Sequence, residues 1–81
     1  MTRYYFDLHD DDGLFADEEG LELSSLRAVQ TEATRSLVDM ARDAMHGSPD
    51  LSKRHMAIEV RNEAGPVMQV RLHFAVEKPK Q

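Results

Sequence analysis

Residues 24–47, SSLRAVQTEATRSLVDMARDAMHG, decide the architecture. Leu26, Val29, Ala33, Leu37, Met40, Ala41 and Ala44 recur at intervals of three and four, which lays one apolar stripe along a helix. Ser24 or Ser25 can cap its first turn by accepting a backbone N–H bond. Gly47, Ser48 and Pro49 form a fitting stop, since Gly accepts the left-handed position after a helix and Pro cannot continue one. The spacing therefore predicts a helix over 25–46. Arg27, Arg35 and Arg42 share its polar side with Glu32, Asp39 and Asp43, as on a solvated face. A single stripe needs one apolar surface to cover, and the chain on either side supplies it in another period.

Upstream, RYYFDLH (3–9) alternates, with Tyr4, Phe6 and Leu8 on one face and Arg3, Tyr5, Asp7 and His9 on the other. Period two with aromatic residues reads as a half-buried strand. Asp12-Gly13 then signals a hairpin, because Gly13 readily takes positive φ, and a short return strand follows through Leu14, Phe15 and Ala16. Gly20 offers a second turn, and LEL (21–23) leads to the helix. Downstream, HMAIEVRN (55–62) turns Met56, Ile58 and Val60 inward, NEAGP (62–66) reverses the chain, and VMQVRLHFAV (67–76) alternates with Met68, Val70, Leu72, Phe74 and Val76 on one side. The methionines Met40, Met45, Met56 and Met68 fall mostly at core-facing positions.

The expected fold is thus α+β in the order ββαββ, an antiparallel sheet of three to four strands with one long helix on one face. One domain is expected over 1–76, with EKPKQ (77–81) a polar tail. The uncovered face is expected to present Arg3, Tyr5, Asp7, His9, Ala57, Glu59, Arg61, Val67, Gln69, Arg71 and His73.

At 81 residues the chain holds a single core, and so short a chain has modest stability without a partner or a second copy. There is no Cys, so disulfides and thiolate metal sites are excluded, and a cytoplasmic location is the expectation. The start MTRYYFDL lacks the apolar stretch of a signal peptide, and no run is long enough to span a membrane. A net charge of −5 disfavours nucleic acid, whose binding rests largely on phosphate neutralisation. The charge is uneven: no Lys or Arg stands between Arg3 and Arg27, whereas Lys and Arg outnumber Glu from Lys53 onward.

DLHDDDGLFADEEG (7–20) is where chemistry would be sought. With Gly13 at the sixth position of a calcium loop, Asp10, Asp12 and Glu19 fall at positions three, five and twelve, but Leu8 occupies position one and cannot ligate. His9, His55 and His73 could share the open face and would suit zinc, yet no HxxxH or HExxH spacing exists. The serines stand at helix starts, on the helix or in loops, with no base beside them, and the separate glycines form no phosphate cradle. No catalytic residue, metal site or cofactor is expected; the chain reads as a non-enzymatic protein.

RYYFDLHDDDG (3–13), DEEGLELSSLRAVQTEA (17–33) and IEVRNEAGPVMQV (58–70) together resemble a family of small bacterial proteins known only as a domain of unknown function, common in rhizobia. Its members start with an RYFFHL-DG-like strand and hairpin and carry a D-x-E-G-x-E-L element, here Asp17 to Leu23, ahead of the helix. The resemblance implies the fold and no activity. In its light Gly20 is expected to make a left-handed turn, fixed by Asp17 or Glu18 bonding nearby backbone N–H groups. DDDGLF (10–15) and TEATRSLVDMA (31–41) also resemble antitoxins of the HicB type, in which an acidic domain covers a small basic ribonuclease. The stretch following the second strand in those proteins and their DNA-binding segment have no counterpart here.

Two readings follow. The first is an interaction domain that self-associates, most simply as a homodimer, through an exposed sheet edge or the open face; Tyr5, Arg61, Arg71 and His73 are its contact residues, since Tyr and Arg favour interfaces. In the second, an antitoxin-like or adaptor role, Asp10, Asp11, Asp12, Glu18 and Glu19 meet a small basic protein.

Overall fold

The computed structural model describes residues 1–47, 55–73 and 77–80. Five strands and one helix follow in the order β1 (Thr2–Asp10), β2 (Gly13–Phe15), β3 (Leu21–Leu23), α1 (Leu26–Gly47), β4 (His55–Asn62) and β5 (Gly65–His73). The class is α+β as the periodicities require, but the sheet has five strands rather than three or four. The additional strand is LEL, expected only as an approach to the helix. Because β2 is three residues long it covers only Leu8–Asp10 of β1, and β3 pairs antiparallel with Thr2–Tyr4. The order across the sheet is β2, β1, β4, β5, with β3 also alongside β1.

Ser25, not Ser24, caps α1. Its Oγ accepts the Ala28 N–H at 3.1 Å and its carbonyl accepts the Val29 N–H, which satisfies donors that a helix start leaves free. Val29, Ala33, Leu37 and Ala41 bury the stripe against Tyr4, Met56, Ile58 and Val60. The two alanines leave room for large residues on the strands. Val29 and Val60 are completely covered, so truncating either removes methyl groups that water never reaches. Leu26 belongs to the stripe by angle yet stays more than half exposed in the first turn.

The β4–β5 hairpin carries a one-residue irregularity. Asn62 pairs with Gly65 and Arg61 with Pro66, but Val60 pairs with Met68, which leaves Val67 as an extra residue. The bulge corrects one assignment. Val67, placed on the open face by strict alternation, packs with Met68 against the core. Beyond it Met68, Val70 and Leu72 keep the core face and Gln69, Arg71 and His73 the exposed one. The expectations at Ser48, Pro49, Ser52, Lys53, Phe74 and Val76 lie outside the described residues. Residues 77–80 are exposed without regular secondary structure.

Candidate functional site

Strand pairing alone leaves a gap on β1. Its residues 2–4 pair with β3 and 8–10 with β2, so Tyr5–Asp7 lie opposite Ala16–Gly20, three residues against five. The surplus forms a loop that cannot continue the ladder, and side chains take over. Asp17 Oδ2 accepts the Phe6 N–H at 3.1 Å, the bond a strand neighbour would otherwise make. Its Oδ1 accepts the N–H groups of Glu19 and Gly20 at 3.1 and 3.2 Å, closing the turn. Of the two acids expected to fix this turn, Asp17 does so and Glu18 points to solvent. Gly20 has φ +73, and a Cβ there would stand 2.9 Å from both Arg3 Cγ and Tyr5 Cε1 and 3.0 Å from the Tyr4 carbonyl oxygen. Only glycine fits.

On the face opposite the helix the loop is tied down by charge. Asp7, expected on an open surface, is buried. Its Oδ2 accepts from Arg61 Nε at 2.8 Å and its Oδ1 from the Asp17 N–H at 2.9 Å. Arg61 Nη2 also donates to the Asp17 carbonyl at 3.0 Å, and the guanidinium lies 4.5 Å from the centre of the Tyr5 ring. Desolvation alone would raise the Asp17 carboxyl, but the N–H groups of Phe6, Gly20 and Glu19 and the charge of Arg61 outweigh it and hold the pKa below the usual aspartate value. The hydrogen bond that Arg61 donates to Asp7 is the main cause that holds its guanidinium above its ordinary value. Both carboxylates of the clamp and the Nε and Nη2 groups of Arg61 are engaged within the chain, an arrangement that ties the loop to the sheet.

The remaining candidates lie elsewhere. Asp10 Oδ1 accepts the Asp12 N–H at 2.7 Å, an Asx turn at the hairpin tip, and Asp11 and Asp12 are exposed. Glu18 and Glu19 are exposed on the clamp loop, where Arg3 Nη1 donates to the Glu19 carbonyl at 2.7 Å. Glu19 therefore does not join Asp10 and Asp12 as a calcium loop would need, and among the described residues no three His, Asp or Glu side chains converge to hold a metal ion. Arg71 donates to Gln69 Oε1 at 3.0 Å along β5, and His73 meets His55. The four proposed contact residues thus divide: Tyr5 and Arg61 face each other in the clamp, whereas Arg71 and His73 share an edge strand.

That edge has a definite polarity. Since the Phe6 N–H points away from β4, alternation turns Tyr5 and Asp7 toward β4, Ile58 and Val60 toward β5, and Met68 and Val70 back toward β4. The N–H and C=O groups of Gln69, Arg71 and His73 therefore face outward, where no strand pairs among the described residues. Pro66, which has no N–H, stands at the hairpin end of this strand.

Sequence reasoning missed Asp7 and Asp17 as a pair with Arg61. The D-x-x-G spacing of Asp17 and Gly20 was a usable signal for the turn. Nothing local marks Asp7, whose partner lies 54 residues away. A family model described as a domain of unknown function, DUF6894, matches residues 3–73. No curated protein and no solved structure matches the chain.

Proposed function

The chain belongs to the DUF6894 family, a domain of unknown function, and we propose from its own geometry that it is a non-enzymatic module that dimerises through the outer edge of β5. The observation that carries this reading is the outward row of backbone groups at Gln69, Arg71 and His73, on a strand whose core-facing residues are only half-buried. Natural sheets break, bulge or cover such edges, as this chain does on its other side. A second copy fits in one antiparallel register about a two-fold axis at Val70. Met68 then lies opposite Leu72 of the other copy, extending the apolar face. Gln69 lies opposite its Arg71, repeating across the axis the bond seen within the strand.

No helix among the described residues is long and apolar enough to cross a membrane, and the proposed module works in the cytoplasm without nucleic acid or cofactor. Light scattering across a concentration series tests the reading. The wild type should pass from one chain mass to two, and Gln69→Pro, which removes an outward N–H and no ladder bond, should stay monomeric with an unchanged circular dichroism spectrum. A wild type that remains one chain at millimolar concentration would end the proposal.

One observation favours a second reading, the acidic-partner role that the likeness to HicB-type antitoxins suggests. The hairpin tip presents Asp11 and Asp12 to solvent beside Leu14 and Phe15, which are 59% and 54% exposed. A small basic protein with an apolar spot would complement that end. Its mark would be a complex that weakens with salt and with Asp11→Asn/Asp12→Asn while Gln69→Pro leaves it intact.

A further inference from the structure

His55 and His73 face each other across β4 and β5 on the exposed side of the sheet. The bulge at Val67 puts them there. In the register of the hairpin's first pairs, His55 would oppose Leu72; the one extra residue slides His73 into that place. The Nδ1 atoms are 3.1 Å apart, with ring centroids at 4.6 Å and planes tilted by 38°. Two imidazoles joined end to end by a straight N–H···N bond of that length would hold their centroids roughly 5 Å or more apart. The closer approach means that the contact is bent and the rings lean together instead of meeting end to end, so that both nitrogens sit side by side at the sheet surface. Two imidazole nitrogens on one ion, each at about 2.0–2.1 Å, are themselves roughly 3 Å apart.

We propose that the Nδ1 atoms of His55 and His73 clip a single divalent transition ion of the zinc, nickel or copper class. Nitrogen donors select these ions over calcium and magnesium, which take oxygen. The pair opens into a shallow depression also lined by His9, Asp10 and Asp11, whose two carboxylates favour a cation. Among the described residues no third ligand side chain completes the set, so water fills the remaining positions and the site is an open clip of modest affinity. It is independent of edge pairing, because the imidazoles project from the sheet face and the outward backbone groups lie in its plane.

Calorimetric titration of the full chain with nickel and zinc chlorides tests the clip, with magnesium and calcium as contrasts. One ion per chain is expected for nickel and zinc and none for magnesium or calcium. His55→Ala and His73→Ala should each weaken binding about tenfold or more, and His9→Ala should leave it nearly unchanged. Both histidines are exposed, so circular dichroism should show these variants folded; His55→Gln and His73→Gln repeat the test if either alanine variant is not. Binding that survives loss of either histidine, one ion per two chains, or no binding of nickel and zinc up to millimolar concentration would each overturn the proposal.

Discussion

The edge built from β2 and β3 and the edge built from β5 belong to one sheet, yet they meet water differently. The first is broken in two, carries a five-residue stretch opposite three residues of β1, and closes the leftover N–H of Phe6 with the carboxylate of Asp17. The second runs from Met68 to His73 without interruption and leaves its outward groups free among the described residues. One carboxylate can therefore do the work of a strand neighbour, and an edge so finished cannot template another strand. The contrast makes β5 the edge at which a second chain would add.

The sharpest way to break the comparison is at Gly20. Gly20→Ala forces a side chain into positive φ and against Arg3, Tyr5 and the Tyr4 carbonyl, and should lower stability by about 3 kcal/mol in urea unfolding. Gly13→Ala, where nothing stands within 4 Å of the added atom, should lose only about 1–2 kcal/mol from strain alone. Equal losses at the two positions would mean that the clamp is not closely packed.

Asp17→Ala comes next. It frees the N–H groups of Phe6, Glu19 and Gly20 at once and should lower stability by about 2 kcal/mol, with fast amide exchange confined to Phe6 and the loop. Acid should do the same to the wild type. The folded carboxyl titrates below its unfolded value of about 3.9, so its contribution is complete well above that pH and is lost as pH falls through the lower folded value. In Asp17→Asn this part of the acid dependence should disappear, as urea midpoints between pH 2 and 6 would show. An unchanged pH profile would remove Asp17 from the account.

The smallest effect sharpens the contrast within the acidic segment. Asp11→Asn touches only a solvated turn and should change the free energy of urea unfolding by less than about 0.5 kcal/mol. Asp7 and Asp17, from the same stretch, should dominate every stability measurement made there. A large loss for Asp11→Asn would show that the hairpin tip, too, holds the fold.

The helix and the strands flanking it were legible because their periodicities are local: Val29, Ala33, Leu37 and Ala41 announce one face, and Met56, Ile58 and Val60 another. Gly20 and Asp17 were half legible, since D-x-x-G names a turn but not what it packs upon. The fifth strand was not, because three residues carry too little pattern to separate a strand from a connection. Nor was the side on which Val67 falls, since strict alternation has no place for a bulge. Asp7 looked like any polar residue on an alternating strand, and only the pairing of β1 with β4 brings Arg61 above it. The opposition of His55 and His73 likewise needed the register.

The central pairing of β1 with β4 also sets a clock on synthesis. β1 leaves the ribosome early, but Arg61, which locks Asp7, is added 54 residues later, on the order of several seconds at about 5–20 residues per second. Until then the helix-facing side of Tyr4 and Phe6 has no β4 beside it and the DEEG loop lacks its cation. Nascent chains halted before Arg61 should remain open to protease, and those that include β4 and β5 should resist it; the last strands made decide whether the first can stay folded.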